Sequence, residues 1–182
     1  MEAVTKLKER FPQAILKEET SGEQTVVYVD RHYLPEVMKF LHEELGFDHL
    51  ADLCGVDYLG WKGKAKKPER FEVVYNLYSI GKRDFLRIKV PIPEEDPWVP
   101  SVTNIWQVAN WFERECYDMF GISFKGHPDL RRLLMPEDWK GYPLRKDYPL
   151  QPEEEWPEYE NLKAKAKALS RYEWGDRKVR EE

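Results

Sequence analysis

The chain has 182 residues, of which 41% are hydrophobic, 35% charged and 14% aromatic, and its formal net charge is -5. At about 150 residues per domain, this length predicts one folded domain with an extension. No stretch approaches the roughly 20 apolar residues of a membrane span, and the first ten residues lack the apolar core of a signal peptide. The slight acidity argues against nucleic-acid binding.

Cysteine usage and polar composition indicate the setting in which the protein works. Cys54 and Cys116 are the two cysteines of the chain, too few for a disulfide framework or a four-ligand metal site. This usage fits a reducing, cytoplasmic environment. Glu and Lys are abundant while Asn and Gln are scarce, which favours a thermophilic source.

The first third of the chain alternates helical and strand patterns. Val4, Leu7 and Phe11 follow helical spacing. Pro35 lies in the first turn of a second helical pattern and Gly46 follows its last turn. The predicted elements here are a helix over residues 1–11, a strand over 25–29, a helix over 34–45 and a strand within 50–58.

The middle of the chain predicts a hairpin and then a long amphipathic helix. Ile105, Val108, Phe112 and Cys116 recur at helical spacing, which indicates one buried face. Thr103 or Asn104 is the predicted N-cap, and Gly121 follows the last turn. The predicted elements are a basic loop over residues 59–68, strands over 71–80 and 85–92, a proline-rich linker over 91–100 and a helix that ends at Phe120.

The chain becomes less periodic after residue 124. Residues 141–150 alternate proline with aromatic and charged residues, which favours a polyproline-like backbone. Residues 159–169 carry a thin apolar stripe, which predicts a marginal helix that needs a partner surface. We therefore predict an α+β fold: a two-layer core domain with helices packed on a mixed β-sheet (1–124), an extended partner-binding arm (125–150) and a polar, partly helical tail (151–182).

Most candidate catalytic patterns have a simpler structural explanation. Gly55–Lys62 resembles a phosphate-binding loop, but its lysine is displaced and no Ser or Thr follows. Cys116 lies on the apolar stripe and is expected to be a small buried side chain. Asp52 and Asp57 could pair, although solvated acids are the commoner outcome. The four histidines have no metal-ligand spacing, and His127 lies in a turn sequence.

The end of the long predicted helix is densely charged. Arg114 and Asp118 are four residues apart, so a local ion pair is available. Glu115 and Asp118 oppose the helix dipole and therefore need cationic or hydrogen-bonding partners, although a solvated charged face is the alternative. The residues that could supply such contacts lie downstream: Arg131, Arg132, Arg145 and Lys146.

These residues resemble those of a known family. The stretches 113–115, 118–122 and 126–134 look like the signature of the C-type subunit of proton-pumping NADH:quinone oxidoreductase, respiratory complex I. Residues 136–138 and 143–150 are similar to its C-terminal region, and the resemblance spans residues 4–150. The tail after residue 150 departs from the family pattern, so its role stays open. Similar subunits occur in membrane-bound hydrogenases and other energy-converting dehydrogenase complexes, which remain the alternative.

The resemblance implies a cofactor-free peripheral-arm subunit that packs on a large neighbour, the D-type subunit, near the quinone site. NADH, FMN, iron-sulfur clusters and quinone are then bound by other subunits, and contact with the membrane is indirect, on the cytoplasmic side of the inner membrane. An iron-sulfur cluster would require about four cysteine ligands. The residues expected to contact partners are Glu113, Arg114, Glu115, Asp118, His127, Asp129, Arg131, Arg132, Tyr142, Arg145, Lys146, Asp147 and Tyr148.

Overall fold

The computed structural model describes residues 2–22, 24–63, 67–150 and 158–170. Two compact units are present, Met1–Tyr148 and Pro149–Glu182. The elements of the first are α1 (Glu2–Arg10), β1 (Ile15–Ser21), β2 (Gln24–Val29), a 3₁₀ turn (Arg31–Tyr33), α2 (Leu34–Glu43), β3 (His49–Asp57), β4 (Phe71–Ser79), β5 (Asp84–Ile92), β6 (Trp98–Pro100), α3 (Ala109–Phe120) and β7 (Ser123–Lys125).

Five strands form a mixed sheet in the order β1-β2-β5-β4-β3. The central pair, β2 and β5, is parallel, and the other neighbouring strands are antiparallel. The predicted α+β fold with a mixed sheet is confirmed. The strands predicted at 25–29, 50–58, 71–80 and 85–92 all form, within a few residues of their predicted ends.

The core lies between one face of this sheet and the helices. Alternate residues of β4, among them Val73 and Tyr75, are completely buried in one cluster with Val37 and Met38 of α2. Cys116 of α3 belongs to the same cluster, as the sequence predicts. Gly55 lies inside β3, and a side chain there would come within 2.6 Å of the Phe120 ring. A glycine at this position therefore lets α3 lie directly on the sheet.

The long helix begins later than its sequence pattern predicts. It starts at Ala109, and neither Thr103 nor Asn104 caps it. The amide of Val102 binds the carboxylate of Glu113 at 2.7 Å, and the following residues form short turns in which Ile105 donates to the Val102 carbonyl. This hydrogen bond holds residues 102–108 outside the helix. Val102 and Trp106 are still buried, whereas Val108, which the sequence places on the buried face, is 42% exposed.

Three strands, β1, β6 and β7, lie where the sequence predicts none. β1 is an edge strand that carries charged residues at 17–19, so its apolar alternation is weak. β7 follows α3 after Gly121 and pairs in parallel with β6, which the proline-rich linker provides. β6 therefore lies beside the strand that directly follows the end of α3.

Residues 125–148 belong to the first compact unit, and the boundary expected at residue 124 stays a prediction. Residues 142–148 form two successive turns rather than polyproline-like backbone, since Arg145 donates to the Tyr142 carbonyl and Tyr148 to the Arg145 carbonyl, each at 3.1 Å. Pro143 occupies the second position of the first turn, where its fixed φ favours turning. We call residues 127–148 the C-terminal segment.

The second unit contains α4 (Tyr159–Ser170), which confirms the helix predicted there. Its described side chains, including Tyr159 and Leu162, are exposed. Among the residues that the structure describes, no helix has the length and apolar character needed to cross a membrane.

Candidate interaction interface

Asp118 in the last turn of α3 binds the C-terminal segment. Its side chain is completely buried. Oδ2 accepts hydrogen bonds from three successive amides, those of Leu133 (3.0 Å), Leu134 (2.7 Å) and Met135 (2.8 Å), while Oδ1 accepts from Arg132 at 2.7 Å. Burial acts to raise the pKa of Asp118, but these donors outweigh it and hold the pKa below its ordinary value. The carboxylate is therefore a fixed internal anion.

Two arginines complete this arrangement. Arg132 also donates to the carbonyls of Trp139 (2.9 Å) and Gly141 (3.1 Å), so one guanidinium joins α3 to two further parts of the segment. Arg114 donates to the carbonyls of Arg131 (3.2 Å) and Arg132 (3.1 Å). The ion pair predicted between Arg114 and Asp118 does not form, because each side chain reaches the C-terminal segment instead.

Glu113 faces the core and fixes the start of the α3 region. Its side chain is completely buried, and Oε1 accepts from the amide of Val102. Burial raises the pKa of Glu113 to about 7, more than the hydrogen bonds from Val102 and Ser101 lower it. Glu113 and Asp118 are both inaccessible from the surface of this chain, so their contacts here are internal.

Tyr142 packs where α3 ends. Its ring lies between two guanidinium groups, 5.4 Å from Arg132 and 4.6 Å from Arg145, and Arg145 donates to the Phe120 carbonyl at 2.6 Å. Gly121 has the left-handed φ of +71°, and a Cβ there would come within 2.5 Å of the Tyr142 ring. The glycine therefore permits both the helix end and the contact with Tyr142.

A second buried carboxylate, Asp57 at the end of β3, binds the segment further along. Arg70 donates to both of its oxygens, at 3.1 and 3.0 Å, and the amide of Lys146 donates at 2.9 Å. Arg70 also pairs with Asp147 at 2.8 Å and with Glu94. Burial acts to raise the pKa of Asp57, but Arg70 and the amides hold it below the ordinary value.

The sequence favoured a solvated side chain for Asp57, and this prediction was wrong. The side chain is completely buried because Arg70, 13 residues away in the sequence, covers it. A possible signal was the position of Asp57 at the end of a strong strand, where alternation places it on the buried face. Lys146 contacts this site through its backbone amide, while its side chain is exposed.

The turn around His127 is built by local bonds. Nδ1 of His127 accepts from the amide of Asp129 at 3.0 Å, so Nε2 carries the proton and lies 3.2 Å from the Asn110 carbonyl. Asp129 pairs with Arg131 at 2.8 Å, and both side chains are more than half exposed. Within the described ranges, no group of three or more His, Cys, Asp or Glu is placed to hold a metal ion.

The predicted residues thus divide into internal and exposed groups. Glu113 and Asp118 are buried; Arg114, Arg132, Tyr142 and Arg145 bind within the chain. Tyr148 packs closely on Gly141, where a Cβ would lie 2.7 Å from its ring. Glu115 is exposed and makes no hydrogen bond or ion pair with any described residue.

Comparison with known proteins assigns the chain to a family. The family model described as the respiratory-chain NADH dehydrogenase 30 kDa subunit matches residues 27–154. The chain belongs to this 30 kDa subunit family. The match includes both carboxylates that bind the C-terminal segment and all of the segment's contacts with α3. The resemblance seen in the charged signature is thereby confirmed.

The region matched in two relatives of the 30 kDa subunit family covers most of the length of each relative. A protein of Geotalea uraniireducens, named as the C-type subunit of NADH-quinone oxidoreductase, is 51% identical over 150 residues, covering 82% of this chain and 87% of the relative. The protein of the same name from Geobacter sulfurreducens is 50% identical, covering 82% and 89%. At this similarity the chain is a subunit of an NADH-quinone oxidoreductase.

Solved structures agree with the fold. A trypsin-resistant fragment (1–134) of Nqo5 superimposes with a TM-score of 0.63 at 40% identity, covering 71% of this chain and all of the fragment. An archaeal membrane-bound sulfane sulfur reductase complex contains a chain with a TM-score of 0.66 at 22% identity, covering 94% of both chains. At that identity the second likeness supports the fold alone.

Proposed function

We propose that this chain is a cofactor-free structural subunit of the peripheral arm of NADH:quinone oxidoreductase. In this proposal it docks on the D-type subunit near the quinone site, on the cytoplasmic side of the membrane, and supports electron transfer from NADH to quinone coupled to proton translocation. NADH, FMN, iron-sulfur clusters and quinone would be bound by other subunits. The relatives named as C-type subunits of NADH-quinone oxidoreductase favour this assignment over a hydrogenase-type complex.

The proposal is supported mainly by the contacts that the residues of the charged signature make within this chain. Asp118 has five hydrogen-bonded contacts in this chain, from three amides and from Arg132 to its carboxylate and its carbonyl. A carboxylate occupied in this way is poorly suited to act as a general acid or base, because proton transfer needs a free lone pair and an accessible reacting group. The signature instead gives a fixed shape to the C-terminal segment, which suits a docking surface.

Co-purification with the D-type subunit tests the docking. The full chain should elute with that partner as a stable complex, and Arg131→Glu should weaken it, since Arg131 is 63% exposed in the segment. Arg83→Glu, in the exposed turn between β4 and β5, is the matched charge reversal and should leave the complex intact. Normal assembly of the Arg131 variant would count against the segment as the interface.

An absorbance spectrum and metal analysis of the isolated chain test the cofactor-free role. We expect only the aromatic absorption of the protein and no stoichiometric iron. A visible flavin or haem band, or one equivalent of iron or more that survives dialysis, would refute the structural role. This measurement is independent of the binding assay, so the two parts of the proposal can fail separately.

A further inference from the structure

One stripe of α3 points away from the core. Val108, which directly precedes the helix, Trp111 and Glu115 lie at i, i+3 and i+7 and so share one side, opposite the buried residue Glu113. Trp111 is 57% exposed and Val108 is 42% exposed. Aromatic residues such as tryptophan are enriched where proteins bind one another, so this side of the helix is a candidate contact surface.

Trp111 is held in place although it is exposed. The guanidinium carbon of Arg114 lies 5.3 Å from its ring centroid, and Arg114 is itself fixed by hydrogen bonds to the carbonyls of Arg131 and Arg132. A side chain that is already ordered loses little conformational entropy when a partner covers it. Tryptophan is also among the residues that contribute most to protein-protein binding.

Glu115 gives the same surface an uncompensated charge. It lies in the second half of α3, where the helix dipole disfavours an acid, and it makes no hydrogen bond or ion pair with a described residue. The neighbouring acids Glu113 and Asp118 are instead buried, and each accepts hydrogen bonds within the chain. A cationic group from another molecule would complement Glu115.

Leu134 is a further exposed apolar side chain near the end of α3. Its amide is bound by Asp118 on the flank of α3 that also carries Arg114, and its side chain is 62% exposed. We propose that Val108, Trp111, Glu115 and Leu134, here called the Trp111 surface, dock on a part of the D-type subunit that presents an arginine or lysine to Glu115 and apolar side chains to Trp111. This inference rests on the proposed function, which makes that subunit the partner.

A binding titration of the labelled D-type subunit with the full chain tests the inference. Trp111→Ser should weaken binding about tenfold or more, and Glu115→Lys should do so independently. The matched controls are Trp61→Ser, at a tryptophan with 55% exposure, and Glu44→Lys, at an exposed acid that follows α2. Both controls should bind within about twofold of the wild-type chain, as surface substitutions outside an interface do.

The charge complementarity has its own readout. Glu115→Gln should bind more weakly and show a smaller loss of affinity as salt is raised, because screening acts on the ion pair that the variant lacks. An unchanged salt dependence would refute a cationic partner group. No isolated variant should unfold at a markedly lower temperature than the wild type, since all substituted side chains are exposed.

The possible failures are distinguishable. If the wild-type chain does not bind the D-type subunit, the proposed function fails. If it binds but Trp111→Ser binds equally well, only the Trp111 surface is wrong. If the wild-type chain alone sediments as a dimer and Trp111→Ser is a monomer, the surface pairs with a second copy, and the assignment to the D-type subunit is overturned.

Discussion

Asp118 shows how a single residue can organise a long irregular segment. It is buried, and its partners span residues 132–135. Three successive amides and one guanidinium that converge on one carboxylate resemble the anion-binding arrangement of backbone nests. The hydrogen bonds of Asp118 therefore order a segment that has no helix or strand of its own.

Replacement of Asp118 by Asn should be strongly destabilising. The amide group of Asn would place a donor or a weaker acceptor against Arg132, and a buried guanidinium that loses its counter-charge costs about 3 kcal/mol. Urea unfolding at pH 7 measures the loss. Asp129→Asn is the control, because this exposed ion pair with Arg131 is worth less than about 1 kcal/mol. Equal effects of the two substitutions would contradict the assigned role.

Glu113 should make stability depend on pH in the opposite sense to the buried aspartates. The folded chain keeps the Glu113 proton up to a pKa of about 7, whereas the ordinary value is 4.5. Between these values the unfolded chain releases a proton that the folded chain holds, so the free energy of unfolding falls as pH rises. The slope is at most about 1.4 kcal/mol per pH unit.

Glu113→Gln removes this dependence, because Gln mimics the protonated carboxyl at every pH. Unfolding of both proteins at pH 5, 6, 7 and 8 should show the smallest difference at pH 5 and an advantage of the Gln variant that grows to about pH 7 and then levels off, because above that pH both states of the wild type have released the proton. Glu115→Gln, at an exposed site, serves as the control. A constant difference between wild type and Glu113→Gln over this range would show that Glu113 is ionised in the folded chain.

At the scale of elements, the end of α3 and the C-terminal segment depend on Gly121. An alanine there would have to adopt a left-handed φ and would clash with the Tyr142 ring. Gly60 has nearly the same φ, +72°, but nothing lies within 4 Å of its Cβ position. Gly60→Ala should therefore lower the free energy of unfolding only by the cost of a left-handed backbone, about 1–2 kcal/mol.

Gly121→Ala should lower the free energy of unfolding clearly more than Gly60→Ala does. It has the same backbone cost, and it also displaces Tyr142 and Arg145. The difference between the two free energies of unfolding, measured in urea, isolates that packing. If the two variants lose the same stability, Tyr142 does not need to lie against Gly121.

The elements that the sequence predicted correctly are those whose contacts are local or periodic. Strands 71–79 and 84–92 and helices α1 and α2 have strong apolar patterns, and they form as predicted. The start of α3 was predicted too early, because the bond from Val102 to Glu113 acts over eleven residues and has no periodic signal. The buried role of Asp57 was missed for the same reason, since its partners Arg70 and Lys146 are remote in sequence.

At the scale of the whole molecule, the helices of the first unit lie on one face of the sheet and the C-terminal segment is attached at the end of α3. Asp118 holds its first half, and Asp57 with Arg70 holds its last turn. The sequence predicted an arm that lies along a partner. Because the segment is bound at two points of its own chain, its accessibility should differ from that of the residues beyond Tyr148.

Limited trypsin digestion of the isolated chain tests this difference. Cleavage should begin after the exposed lysines of α4, since a helix of twelve residues is marginally stable by itself, and should reach Arg145 and Lys146 later. Asp57→Asn should speed cleavage at these two sites roughly tenfold, because the Lys146 amide loses a charged acceptor and local opening becomes easier. Asp48→Asn, whose carboxylate binds the Ile80 amide, should leave the rate unchanged. Mass spectrometry of timed samples identifies each cut, and wild-type cleavage at Arg145 as fast as cleavage in α4 would show that these bonds do not protect the segment.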